Sequence, residues 1–475
     1  MKAHSIELMM VVLCLAVGVL ANGQISRVHL GWSQNDVYTT MTVMWHSPVL
    51  ESQYVIYDLQ SRTHVDEYEW HLDGSGMAIQ PTIGTDGQTI STTALPGYTY
   101  RAELVGLEPG VPYYFRVVDE AGCATEEWWL RTIEPDQAVR FAFAGDSQRP
   151  HETPEGDFGQ LLGKPASPAN WPFMRDFLTQ QAGAADPDFM LALGDLVSRG
   201  NNPDQWENWF DAWQEHAISP SGRMIPIVPV VGNHDLGDIP PNTVSSYEWM
   251  VGQFAMPQSV PGPPCYSLDF PELHLTVLAA TGGHLIGTSS AAAAEAAAQA
   301  AWLENDLAGA GAQGASWRLV AFHYNYLGCF APCNSNLYDV YPQAWSKILQ
   351  DSDVDMVLMG HAHNYTRTWP VSLDTGNLCS GGGLLFDLHN HSEDGITYVT
   401  AGIWGGPTNW IVSGTACALR PWIAAAASHP AMGLIELTAT SLTGFVRDTV
   451  GQLDDFQLPY VTSTFDPPDY TQGIP

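Results

Sequence analysis

Basic residues are scarce in this chain. Lysine and arginine number 17 against 51 aspartates and glutamates, a formal net charge of −34 over 475 residues. Such a surface cannot replace the counterions of nucleic acid or of an anionic membrane, which argues against both as partners. Paired CxxC spacing is also missing, which excludes a cysteine-based zinc site. Past residue 21 no apolar run is long enough to span a bilayer. The apolar stretch at 9–21, MMVVLCLAVGVLA, follows Lys2 and His4 and gives way to Asn22, Gly23 and Gln24. It is too short for a spanning helix and reads as a secretory signal peptide, cut between about Ala21 and Gln24. Residues 1–23 are therefore assigned to a signal, and the protein to secretion, extracellular or periplasmic. Its removal leaves Cys123, Cys265, Cys329, Cys333, Cys379 and Cys417 in an oxidising compartment, where disulfides are allowed and their pairing stays open.

The length suggests two domains. From 25 to about 132, short runs such as TTMTVMWHSP, SQYVIYDLQ, TYRAELVGL, VPYYFRVVDE and EEWWLRTI are separated by Gly, Pro, Asp and Asn. Six or seven such strands in about 110 residues predict a β-sandwich. LEPGVPYYFRV, with Tyr113 and Tyr114, resembles the corresponding stretch of fibronectin type III domains. This half carries no cluster of His, Asp and Cys, and is read as a packing module. A polar linker at 133–137 contains Pro135. From Val139 the pattern changes to strand, loop, helix, strand. The expected boundaries are 24–135 for the sandwich, 136–460 for an α/β domain and 461–475 for a tail rich in Pro, Asp and Thr. Helices are expected at 173–181, 204–216, 291–307 and 341–350. Trp206, Trp209, Phe210 and Trp213 lie at helical spacing and predict a core face. The end of the chain alternates like two or three antiparallel strands.

The informative feature is a repeated grammar. The run MIPIVPVV, with the length and Val/Ile content of a strand buried on both faces, ends in Gly232, Asn233, His234 and Asp235. VRFAFAGD ends in Asp146, and DFMLALGD in Asp195. SWRLVAFHYN carries His323, and VDMVLMGHAH ends in His361 and His363. A parallel α/β sheet places its ligands at the carboxyl ends of its strands. Singly, each Asp could be a cap and His323 a core histidine; five such endings in one chain set that aside. His361 and His363, two apart, point the same way in an extended segment. Asn233 offers a neutral oxygen that limits the site's negative charge, and His234 is expected beside the metals rather than on them. His389 and His391, which could bind a third metal, are read as part of a solvated loop.

The set Gly145-Asp146, Gly194-Asp195, Gly232-Asn233-His234-Asp235, His323 and Gly360-His361-Ala362-His363 resembles the calcineurin-like metallophosphoesterases. The fibronectin-like module in front, with His363-Asn364-Tyr365 and QAAWLENDL, is similar to the purple acid phosphatase branch. The resemblance implies an N-terminal β-sandwich followed by an α/β metallophosphoesterase domain. It implies a secreted phosphoesterase holding two divalent or trivalent metal ions, of Fe, Zn, Mn or Ca. Asp146 and His363 would bind the first metal, Asp195 would bridge, and Asn233, His323 and His361 would bind the second. His234 would contact the substrate phosphate or protonate the leaving alkoxide. A metal-bound hydroxide would attack phosphorus in line, in a phosphomonoester above all. Bound metal would supply the positive charge that so acidic a chain lacks.

Three departures stand out. Purple enzymes have a Tyr three residues after the bridging Asp, where this chain has Ser198, which predicts a colourless protein. The wider superfamily has Asp-x-His, where this chain has Asp146-Ser147-Gln148. The additional histidines that plant-type enzymes carry after the His323 position are absent from NYLGCFAPCNSN. Two alternatives stay open: a phosphodiesterase or nucleotide hydrolase on the same site, and a metal-poor secreted binding protein that keeps the fold.

Overall fold

The computed structural model describes residues 25–79, 95–148, 171–237, 247–257, 264–281, 289–325, 327, 340–373, 386–387, 395–405, 423–448 and 451–458. The expected signal and tail lie outside them, as do residues 149–170, His389, His391, Cys329, Cys333, Cys379 and Cys417. Among the described residues no helix is long and apolar enough to cross a membrane.

The N-terminal half is the expected sandwich. One antiparallel sheet runs Ser26–Gly31, Thr40–Ser47, Tyr98–Val105, Ser75–Met77; the other runs Trp70–Asp73, Tyr54–Asp58, Tyr113–Val118, Trp128–Leu130. The short strands Trp70–Asp73 and Ser75–Met77 add to the runs legible in the sequence. Their residues alternate between half-buried and exposed, so they carry little apolar signal. Val43, Trp45, Val55, Phe115 and Val117 fill the space between the sheets, the alternate positions a sandwich buries.

Two mixed sheets follow. The first has the order Ile227–Pro229, Phe189–Ala192, Val139–Ala144, Ala431–Thr438, Ser441–Asp448, Gln452–Leu458. Its first three strands are parallel and its last three form the expected antiparallel end. The second runs Tyr266–Phe270, Leu273–Val277, Trp317–Phe322, Met356–Met359, Thr397–Ala401, Tyr365–Thr368, Ile423–Ala427, with a parallel centre. The buried run at 224–231 is a strand only over Ile227–Pro229. Pro226 and Pro229 have no N–H to give to a ladder, but the neighbouring strand still bonds around them, Met190 N donating to Pro226 O and Val230 N to Ala192 O.

Helix Pro203–His216 shows how local sequence sets an element. Pro203 occupies the first turn, where a missing N–H costs nothing. The Asn202 side chain accepts from the Asp204 and Gln205 amides, a cap of about 1 kcal/mol. The aromatic stripe is buried as expected. It does more than fill space: Trp209 Nε1 donates to Ser147 Oγ at 2.9 Å, and Trp206 Nε1 donates to the Gly200 carbonyl.

One apolar core runs through both halves. Trp32 of the sandwich meets Phe189 and Phe270 edge to face, at 6.3 and 5.8 Å. Val28 N donates to Gln214 Oε1, and both ring nitrogens of His29 lie within hydrogen-bond distance of carbonyls. The sandwich is thereby seated on the mixed sheets rather than strung beside them.

Candidate metal centre

All seven residues singled out in the sequence lie at the carboxyl ends of parallel strands. Asp146 follows Val139–Ala144, Asp195 follows Phe189–Ala192, and Asn233 and His234 follow Ile227–Pro229. His323 follows Trp317–Phe322, and His361 and His363 follow Met356–Met359. The first three strands belong to one sheet and the last two to the other. Backbone bonds hold the two sets of ends together: Gly145 N donates to Ala401 O, and Trp404 N to Gly145 O.

One group is formed by Asp195, Asn233, His323 and His361. His323 Nε2 is 3.1 Å from Asp195 Oδ2 and 3.2 Å from Asn233 Oδ1, while His361 Nδ1 is 2.9 Å from the same Asn233 oxygen. Ligand atoms of Asp195, His323 and His361 fall within 4.8 Å of one another. His323 Nδ1 donates to the Leu193 carbonyl at 2.7 Å, which orients the ring and turns Nε2 to the other oxygens. The ring of Tyr324 lies against that of His361, centroids 4.0 Å apart.

A second group adjoins it. His363 Nε2 is 3.2 Å from Asp146 Oδ1, an oxygen fully buried that accepts no hydrogen bond. Asp146 Oδ2 accepts from His361 N. Gln148 Nε2 donates to Asp195 Oδ2 at 3.2 Å, and its own Oε1 is buried without a partner. Imidazole nitrogens, two carboxylates, two amide oxygens and orphaned acceptors converge here. That donor set fits hard or borderline cations.

The backbone is bent to make this possible. Asp146, Asp195 and His361 adopt left-handed φ of 61°, 53° and 67°, a conformation that costs about 1–3 kcal/mol at a non-glycine residue. Asp235, to which the sequence assigned no role, holds one of these bends. Its Oδ1 accepts from Leu196 N and Val197 N, and its Oδ2 from Asp195 N and Gly232 N, at 2.8–3.3 Å. It thus clamps the loop of Asp195 to the loop of Asn233. Gly232 is required by close approach, since a Cβ there would lie 2.0 Å from Asp195 N.

His234 stands beside the group. Its N–H donates to Asp195 Oδ1, and its ring Nδ1 to the Ser198 carbonyl at 2.9 Å. Charge is distributed unevenly. Burial alone would raise Asp195, but the imidazoles of His323, His234 and His361 outweigh it and hold its pKa well below the carboxylate range. Burial lowers His323, yet the Asp195 charge brings it up to about 9. Burial and then the His323 charge keep His361 well below the ordinary imidazole value. Asp235 is pushed up to about 7 by burial and by Asp195.

Residues 139–365 match the family model described as calcineurin-like phosphoesterase, and residues 25–132 the one described as purple acid phosphatase, N-terminal domain. The chain belongs to the calcineurin-like metallophosphoesterases. Within that family it is a distant homologue of the purple acid phosphatases. It is 24% identical over 304 residues to a phosphoenolpyruvate phosphatase of Allium cepa, covering 60% of this chain and 53% of that one. It is also 24% identical over 331 residues to a probable inactive purple acid phosphatase of Arabidopsis thaliana, covering 64% and 50%. The chain spans about half the length of the curated relatives it matches. A purple acid phosphatase from seeds of yellow lupin, Lupinus luteus, has a similar fold: TM-score 0.64, 17% identity, 91% of this chain and 74% of that one. The metallophosphoesterase match ends at Tyr365, the last residue of the HAHNY segment.

Three features escaped the sequence reading. They are the Asp235 clamp, the brace from Trp209 to Ser147, and the ring of Tyr324 on His361. Asp235 had a signal, a carboxylate two residues after Asn233 in the same loop, where Asx side chains habitually take backbone amides. The other two depend on contacts between distant segments and had none. Tyr365, at the end of the HAHNY segment, is structural: it is fully buried and donates to Asp454 Oδ2, to which Arg367 is also paired.

Proposed function

We propose that this chain is an exported phosphoesterase that hydrolyses phosphomonoesters at two metal ions. Asp146 and His363 would hold the first, Asn233, His323 and His361 the second, and Asp195 would serve both. The observation that carries the reading is Asn233 Oδ1, which is within 3.2 Å of two imidazole nitrogens. One of those imidazoles has already committed its Nδ1 to a carbonyl. When bound, the ions supply Lewis-acid charge neutralisation at phosphoryl oxygens and acidify water.

The chain's own side chains do the rest. The carbonyl of Ser198 accepts a hydrogen bond from the Nδ1–H of His234, which leaves Nε2 as the nitrogen that holds or passes a proton. His234 thereby serves the leaving alkoxide or a phosphate oxygen. Asn233 ligates without adding negative charge. The sandwich of 24–135 seats the domain of 136–460, residues 1–23 direct export, and 461–475 are a tail.

The test is elemental analysis of the mature protein, followed by p-nitrophenyl phosphate and bis-p-nitrophenyl phosphate assays on the same sample. Two ions per chain and monoester cleavage are expected. His234→Ala should keep its metal and lose about 10²–10⁴ in kcat. Preference for the diester would move the reading to a phosphodiesterase. No metal and no turnover after adding Mn, Zn, Fe or Ca would replace it with a binding protein that keeps the fold.

A further inference from the structure

Gln148 occupies the place where the resemblance calls for a histidine, and its amide is held in one orientation. Nε2 donates to Asp195 Oδ2 at 3.2 Å; turning the amide over would set its oxygen against that carboxylate. The backbone is fixed as well, with Gln148 N donating to Asp195 O and Asp146 N to Gly194 O. The residue is 5% exposed and its Oε1 has no donor. Two residues earlier Asp146 Oδ1 is buried and accepts no hydrogen bond either, with His363 Nε2 3.2 Å away. A buried oxygen without a partner carries the full cost of leaving water. Two of them at one strand end ask for the same remedy, a cation.

The geometry points to Gln148 Oε1 as a ligand of the first metal, in a position that is oxygen-rich and therefore selective for a hard divalent cation. The inference rests on the dinuclear reading above and deepens it. The first position then draws on Asp146, Gln148, Asp195 and His363, three oxygens to one nitrogen. The second draws on Asn233, Asp195, His323 and His361, two oxygens to two nitrogens. Oxygen donors favour Mn²⁺, Mg²⁺ and Ca²⁺, whereas imidazole favours Zn²⁺. Neither set holds a phenolate or thiolate to favour a trivalent or soft ion. The two positions should therefore fill with different metals from a mixture.

The experiment is calorimetric titration of the metal-free full chain with Mn²⁺ and with Zn²⁺, read beside the Mn²⁺ electron paramagnetic resonance signal. Wild type should take one Zn²⁺ tightly and then one Mn²⁺. Gln148→Ala should weaken the Mn²⁺ step by about 10–100-fold, the usual scale for a lost metal-supporting group, and leave the Zn²⁺ step nearly unchanged. Gln148→Glu keeps the oxygen and adds a charge, so it should tighten the Mn²⁺ step. If Gln148 serves only as the Nε2 donor to Asp195, Gln148→Glu sets two carboxylates together and weakens binding as Ala does, which overturns the inference. Equal Mn²⁺ affinity in all three proteins overturns it too, while the dinuclear reading survives. A wild type that binds neither ion overturns both. Circular dichroism of each variant confirms that a weaker step is not a misfolded chain.

Discussion

Replacing Asp235 with Asn is the sharpest probe of how the site is held. The change is isosteric and removes one acceptor oxygen. In the native carboxylate each oxygen serves two amides, Leu196 and Val197 on one side, Asp195 and Gly232 on the other. Whichever way the new amide is turned, its NH₂ faces two backbone N–H groups. Both lose their acceptor in a fully buried place. At about 1–3 kcal/mol for each buried unsatisfied donor, Asp235→Asn should cost about 2–6 kcal/mol. Part of that loss falls on the left-handed turn at Asp195, which these bonds hold against its own strain. Urea denaturation of the metal-free protein reads the first effect as a lower midpoint at unchanged slope. Metal titration reads the second as weaker binding at Asp195, with no ligand removed. A variant within about 1 kcal/mol of wild type, with native metal affinity, would refute the clamp and leave the loops to be held by packing alone.

Away from the site, His274 should give a pH-dependent stability. Burial pulls it down, but Asp269 and Asp306 on its two nitrogens bring it up to about 9. A raised histidine stabilises fully below its unfolded value of 6.5 and ceases to do so as the pH rises through 9. The difference is worth up to about 3 kcal/mol. His274→Gln should accordingly cost more stability at pH 6 than at pH 9.5, and an equal loss at both would refute the ion-pair account. Ser198 offers no phenolate three residues after Asp195, so the iron-loaded protein should show no visible charge-transfer band. A coloured sample would mean that another tyrosine reaches the metal, and Tyr324 would be the first to replace with Phe.

Much of the site was legible because its residues sit where a local rule puts them. A buried parallel strand must end, and Asp146, Asp195, His323 and His361 each stand one to three residues past such an end. The rule gives position along the chain but no distances, so it could not pair His361 Nδ1 with Asn233 or leave Gln148 Oε1 without a donor. The run at 224–231 holds the expected buried strand over only part of its length. Its apolar character correctly foretold burial, but Pro226 and Pro229 have no N–H to give to a ladder, which hydropathy does not register. The short strands Trp70–Asp73 and Ser75–Met77 were missed because half-exposed strands are decided by their partners more than by their own residues.

Charge ties the site to the whole molecule. A chain of net charge −34 repels a phosphate ester at long range. Of the described arginines, Arg367 is paired with Asp454 and Arg175 with Asp176. Under the proposed reading, two divalent ions against the carboxylates of Asp146 and Asp195 leave a local charge of about +2, because Asn233, Gln148 and the imidazoles add none. Surface charges more than about 8 Å away are screened at physiological ionic strength, while a buried centre is screened much less. Salt therefore removes the repulsion before it weakens the attraction. The kcat/KM for an anionic ester should rise as salt is added from a low starting value and then level off. A steady fall would mean that the attractive field extends beyond the centre, carried by basic side chains that the metal-based account does without.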